Sequence, residues 1–264
     1  MKTTAIVVFD IDGVVRDVSN SYRRALADTV EEFTQGQFRP SQADIDALKA
    51  EGLWNNDWEA SQEMVYRFFE QQGVERSQLK LDYSALVLFF QKRYRGPDPE
   101  NPDHWTGYIC QEPLLMSATY LERLTAAGIS WGFFSGATRG SASYVLERRL
   151  GLQSPALIAM EDAPGKPDPT GLFATVAQIE ARTELPANCP VVYVGDTVAD
   201  MQTALKAREV VADRQWIGVG TLPPHAQHPP EYAQAYTQRL TQAGAVKVFT
   251  GVEQLLPEVI RELV

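Results

Sequence analysis

Five consecutive apolar residues, Ala5-Ile6-Val7-Val8-Phe9, run straight into Asp10-Ile11-Asp12-Gly13, and this junction restricts the possible folds more than any other feature of the chain. A continuously apolar, β-branched run of this length reads as a strand buried on both faces of a parallel sheet. Two carboxylates at its carboxyl end then lie where open α/β sheets bind their ligands. Strand alternation points Asp10 and Asp12 to the same side, and Gly13 permits the sharp turn that follows. Taken alone, the pair also fits an acidic strand end closed by a turn, so its meaning depends on what the rest of the chain supplies.

Similar apolar runs recur at residues 129–134, 156–160, 190–194, 216–219 and 246–249, most of them separated by helical patterns. That alternation predicts a doubly wound α/β fold with a parallel sheet, built from residues 1–17 and 113–264. Residues 18–112 read instead as an inserted all-helical domain. Its first helix carries Tyr22, Leu26, Val30 and Phe33 on one face, with Ser19 or Asn20 as N-cap. Ser41 caps a second, which holds Ile45 and Leu48 and stops at Gly52. Further helices carry Val65, Phe68 and Phe69, then Leu86, Phe89, Phe90 and Tyr94, before the proline-rich stretch 97–102 breaks the pattern.

Composition narrows the partners. The chain has 264 residues and a formal net charge of −10, a field that disfavours nonspecific binding to nucleic acid or an acidic membrane. Its longest apolar stretches fall far short of the ~20 residues that span a bilayer, and the start shows no export signal. The two cysteines, Cys110 and Cys189, have neither disulfide-framework nor zinc-site spacing, which implies a reduced, cytoplasmic setting. An anionic small substrate stays compatible with the acidic surface, because a bound cation and a lysine can dominate a pocket's potential.

Three further elements fall at the ends of later strands. Ser135-Gly136-Ala137-Thr138-Arg139 places a hydroxyl and backbone amides before a helix, which suits a phosphate oxygen. Gly165-Lys166-Pro167-Asp168-Pro169 sets Lys166 just ahead of a helix that Asp168 caps and Pro169 starts. Gly195-Asp196-Thr197-Val198-Ala199-Asp200 adds two more acids beside a strand end.

Together, and in this order, these elements resemble the haloacid-dehalogenase superfamily, specifically the branch with a helical cap inserted just after the first motif, which includes phosphoglycolate phosphatase-like and β-phosphoglucomutase-like proteins. The resemblance covers nearly the whole chain. It implies that Asp10 is a nucleophile and Asp12 a general acid/base, that Ser135, Gly136 and Lys166 bind phosphate, and that Asp10, Asp12, Asp196 and Asp200 form a Mg2+ site, Asp12 through its backbone carbonyl. The implied activity is a phosphatase acting on a small phosphorylated metabolite through an aspartyl-phosphate. Arg16 and Gly136 depart from the family pattern, at positions not expected to touch the chemistry. A hexose-phosphate mutase shares every core residue and is the nearest rival. A phosphonate hydrolase would need a cap lysine such as Lys49, a 2-haloacid dehalogenase would not need Asp12 or the metal pair, and a silent binding protein tends to lose the nucleophile or acid/base.

Weaker signals have two readings each. Trp54, Asn55, Asn56 and Asp57 fit a substrate-selecting cap loop, or a capping turn with Asp57 as N-cap and the tryptophans in the cap core. Arg139, Arg23 and Lys49 could reach a phosphate, or be solvated surface charges. Glu161 and Asp162 read as solvated or as supporting Lys166. His104, His225 and His228 show no ligand spacing and are assigned no role.

Overall fold

The computed structural model describes residues 5–49, 51, 53–54, 56–186 and 188–264. The chain divides into two compact units, one running through Asp17 and resuming over Pro113–Val264, the other Val18–Glu112.

The first unit is built on a six-stranded parallel sheet. Its strands are β1 (Ala5–Phe9), β2 (Ile129–Phe134), β3 (Leu157–Ile158), β4 (Val191–Gly195), β5 (Trp216–Thr221) and β6 (Ala245–Phe249), in the order β3-β2-β1-β4-β5-β6. β1 is central, completely buried, and hydrogen-bonded in parallel to β2 on one side and β4 on the other. Its lack of alternation follows: with both faces covered, every side chain is inside, and each of the larger ones contributes about 1.5–3 kcal/mol of burial. The third strand is shorter than its apolar run, because only Leu157 and Ile158 pair with β2. Helices α5 (Ala118–Ala126), α6 (Arg139–Ser143), α7 (Thr170–Glu180), α8 (Val198–Val210), α9 (Pro230–Gln242) and α10 (Pro257–Leu263) complete the unit in the helix numbering that begins in the second unit. A π-helical turn, Tyr144–Arg149, extends α6.

The strand order reverses between β1 and β4, and such a switch point opens a crevice at the carboxyl ends of the strands. Val194 is paired with Phe9, and the Asp10 amide donates to the Val194 carbonyl at 2.8 Å. Asp10 and Gly195-Asp196 therefore emerge side by side.

The second unit is helical: α1 (Tyr22–Phe33), α2 (Gln42–Lys49), α3 (Asp57–Gln71) and α4 (Tyr83–Tyr94). Leu26, Val30, Ile45, Leu48, Val65, Leu86 and Phe90 form its buried interior, and Tyr22 stacks on Tyr94 with ring centroids 4.2 Å apart. Ser41 caps α2 as expected, its hydroxyl taking the Asp44 amide while Asp44 reaches back to the Ser41 amide. The start of α1 differs from expectation: Ser21 is the N-cap residue and gives no side-chain cap, its hydroxyl turned instead to donate to Glu112 Oε1. The expected end of α2 at Gly52 lies outside the described residues. Among the described residues no helix is long and apolar enough to cross a membrane.

Candidate active site

Asp10 follows the last residue of β1 and is buried. Asp12, two residues on, has its side chain 30% exposed. Gly13 has φ +76°, a conformation that glycine adopts without strain, and a Cβ there would stand 2.1 Å from Asp196 Oδ2. The loop after β1 thus closes directly against the acid that follows β4. Asp10, Asp196 and Asp200 are all buried, and each presents a carboxylate oxygen within 4.8 Å of the others.

Lys166 is the cation in this group. Its ammonium lies 2.8 Å from Asp10 Oδ1 and 2.7 Å from Asp200 Oδ1. The contact to Asp200 is a hydrogen bond; Asp10 Oδ1 is buried and has the ammonium as its ion-pair partner. The helix after Lys166 begins one residue later than expected, at Thr170 with Pro169 in the cap position, but Asp168 does accept the Thr170 amide at 2.9 Å.

Asp200 is engaged differently from its neighbours. Oδ1 accepts from Lys166 and, at 2.8 Å, from the Tyr193 hydroxyl. Oδ2 accepts from the Thr197 amide at 3.0 Å and the Thr197 hydroxyl at 2.6 Å, completing a capping box that starts α8. Gly195 allows this close approach, since a Cβ there would fall 2.2 Å from Asp200 Cβ.

The electrostatics follow from burial and crowding. Burial is the main force raising the Asp10 carboxyl, to about 7; Lys166 opposes it, while Asp200 and Asp12 add to it. Burial, then Asp200 and Asp10, hold Asp196 well above the usual carboxylate range. Burial also pushes Asp200 upward, but the Lys166 charge and the hydrogen bonds from Lys166, Thr197 and Tyr193 outweigh it and leave Asp200 low. Lys166 is held protonated because Asp10 and Asp200 overcome its desolvation. Two carboxylates raised mainly by burial and crowded against a third are what a cation would relieve, so the donor set fits a hard, oxygen-loving divalent ion.

Ser135 is buried at the end of β2, with its amide donating to the Ile158 carbonyl at 3.0 Å and its hydroxyl accepting the Ala137 amide at 3.0 Å. Gly136 beside it is exposed, with nothing within 4 Å of where a Cβ would stand.

Arg16 corrects an expectation. Its side chain is fully buried and its Nε lies 2.7 Å from Asp12 Oδ1, so the residue that departs from the family pattern touches the acid/base candidate directly. Tyr193 and Thr197 were not legible as site residues. Tyr193 reads as one more strand residue, and only its hydroxyl in an otherwise aliphatic run, three residues before Asp196, gives a signal.

The weaker candidates have local partners. Arg139 pairs with Asp162 and its amide donates to Glu161 at 2.9 Å, which gives both acids a role at the start of α6. Arg23 pairs with Asp46 and Lys49 with Asp57, each at 2.6 Å. In the cap loop, Trp54 donates to Glu51 at 2.9 Å, and Asn56, not Asp57, caps α3 by accepting the Trp58 amide at 2.9 Å. Asn55 lies outside the described residues.

A family model described as haloacid dehalogenase-like hydrolase matches residues 4–208. Among curated proteins, the chain is 28% identical over 258 residues to an imidazoleglycerol-phosphate dehydratase of Phytophthora nicotianae; the match covers 95% of this chain but the chain spans only about half, 51%, of that relative. The fold is similar to that of a phosphonoacetaldehyde hydrolase-like protein from Oleispira antarctica, with 20% identity, TM-score 0.68 and coverage of 100% of this chain and 93% of the other. It is also similar to a phosphatase from Thermococcus thioreducens, with 24% identity, TM-score 0.61 and coverage of 81% and 92%.

Proposed function

Given that the chain belongs to the haloacid dehalogenase-like hydrolases, we propose that it is a Mg2+-dependent phosphatase that hydrolyses a small phosphomonoester through a phosphorylated Asp10. The observation that carries this reading is Asp10 itself: a buried carboxylate at the end of the central strand, 2.8 Å from the Lys166 ammonium and clustered with two further buried acids.

Asp10, Asp196 and the backbone carbonyl of Asp12 would hold the ion, which when bound neutralises charge between the acids and a phosphate dianion. With Lys166 favouring its ionised form, Asp10 forms a bond to phosphorus as the bond to the leaving oxygen breaks. Asp12 gives its proton to that oxygen. It then takes a proton from the water that attacks the aspartyl-phosphate, releasing phosphate and restoring Asp10. Ser135 and the Gly136 amide hold the transferring group, and the Lys166 ammonium offsets its charge.

The cap would choose among substrates. A phosphonate hydrolase is less favoured, because Lys49 is ion-paired to Asp57 within the helical unit. A mutase shares the first half of the chemistry and is separated by where the phosphoryl group goes. The test is a panel of phosphomonoesters assayed for phosphate release with and without magnesium, including hexose phosphates and, because of the similarity to the Phytophthora nicotianae dehydratase, imidazoleglycerol phosphate. Magnesium-dependent release abolished by Asp10→Asn supports the proposal. Return of label to a sugar without net release would make the protein a mutase, and release from Asp10→Asn would remove the nucleophile.

A further inference from the structure

Asp200 has two carboxylate oxygens and four donors. Lys166 Nζ and Tyr193 Oη meet Oδ1 at 2.7 and 2.8 Å, and the Thr197 amide and hydroxyl meet Oδ2 at 3.0 and 2.6 Å. A carboxylate offers about four acceptor positions, so all of those of Asp200 are taken. Asp10, in the same cluster, has the Lys166 ammonium 2.8 Å from Oδ1 and no other partner at that oxygen among the described residues. The two acids are therefore prepared for different tasks, although both lie within reach of one ion.

Tyr193 shapes this arrangement on two sides. It is fully buried in the central strand β4, and its ring and that of Phe134, with centroids 6.1 Å apart, lie beneath the Lys166 ammonium at 5.7 and 5.4 Å. A cation over two aromatic faces is attracted to both. The Tyr193 hydroxyl then shares with the ammonium the same oxygen of Asp200. Ring and hydroxyl together set where the ammonium stands. The ammonium faces Asp200 and Asp10, at 2.7 and 2.8 Å.

We propose that Tyr193 is a positioning residue for the reaction: acting through Asp200, it seats Lys166 beside Asp10, and Asp200 serves as the anchor of the lysine instead of as a ligand of the metal. This rests on the phosphatase reading and adds to it a residue and a division of labour among the acids.

The experiment is Tyr193→Phe, which keeps the ring beneath Lys166 and removes only the hydroxyl. Steady-state kinetics at saturating magnesium, magnesium titration calorimetry without substrate, and a melting curve are measured on the same preparation. The expected result is a fall of about tenfold in kcat, the scale of one hydrogen bond to a charged group, with magnesium affinity within about twofold of the parent. Weakened magnesium binding with kcat retained at saturation would overturn the proposal, because Tyr193 would then be orienting a metal ligand. So would a lowered melting temperature with unchanged kinetics, which is a purely structural role. If the variant does not fold, Asp200→Asn puts the same question: magnesium binding that survives, weakened by no more than about 100-fold, with kcat lowered at saturating magnesium supports the anchor role, and loss of detectable magnesium binding overturns it. Asp10→Asn runs alongside. If it turns over, the phosphatase reading fails as a whole; if it is dead while Tyr193→Phe matches the parent in every measurement, only the positioning role fails.

Discussion

Replacing Gly13 with alanine adds one methyl group at the point where the loop after β1 meets Asp196, and the structure gives two separable costs. The first is conformational. At φ +76° a residue with a Cβ loses about 1–2 kcal/mol relative to its preferred backbone. For a protein of this size that lowers the melting temperature by about 2–8 °C. The second is steric. The new Cβ would stand 2.1 Å from Asp196 Oδ2 and 2.6 Å from its Cγ, so Asp196 must withdraw by about 1 Å or more to restore van der Waals contact. A displacement of that size at a reacting centre costs on the order of 100-fold. Gly13→Ala should therefore lose most of its magnesium affinity and turnover while remaining folded at assay temperature. Gly136→Ala is the stability control, since its Cβ meets nothing within 4 Å and its melting temperature should stay near that of the parent. Calorimetric titration with magnesium, steady-state turnover and thermal denaturation measure all three quantities. A Gly13→Ala protein with parental magnesium affinity and turnover would refute the placement of Asp196 in the metal site.

Asp12→Ala should lose about 10²–10⁴-fold in turnover, most with alcohol leaving groups and least with p-nitrophenyl phosphate, whose leaving group needs little protonation; equal losses across leaving groups would remove Asp12 as the acid. Metal and pH are linked through Asp10. Its folded pKa of about 7 lies above the unfolded 3.8, so the metal-free native state binds the extra proton and loses stability as pH rises between those values, with Asp196 acting in the same direction. The gain in melting temperature on adding magnesium should accordingly be larger at pH 8 than at pH 5, and a pH-independent gain would count against these ligands. Asn56→Ala removes the cap of α3 and should cost about 1 kcal/mol of stability with the ranking of substrates unchanged; a changed ranking would return the loop to substrate selection.

The sheet was legible because burial on both faces leaves an unmistakable mark: the run at β1 has no polar interruption, and the acids that follow β1 and β4 sit at the strand ends that a parallel sheet brings together. Lys166 was legible for the same reason, as a cation just ahead of a helix. What the sequence concealed were partnerships that depend on side-chain direction. Arg16 looks like a misplaced surface charge until the loop folds back and sets it against Asp12. Tyr193 looks like strand filler until its hydroxyl is seen to point at an acid seven residues later on the next helix. In the helical unit, caps were located to within a residue or two, and the difference between Asn56 and Asp57 turned on which side chain reaches the Trp58 amide.

The central claim is that Asp10 carries the phosphoryl group. Rapid acid quench of the Asp12→Ala variant during turnover, with magnesium present, followed by intact mass and peptide mapping, reads this directly, because loss of the base should let the phosphoenzyme accumulate. The account predicts a mass gain of one phosphoryl group, located on Asp10 and absent from Asp10→Asn; turnover with no adduct, or an adduct on any other residue, would contradict it.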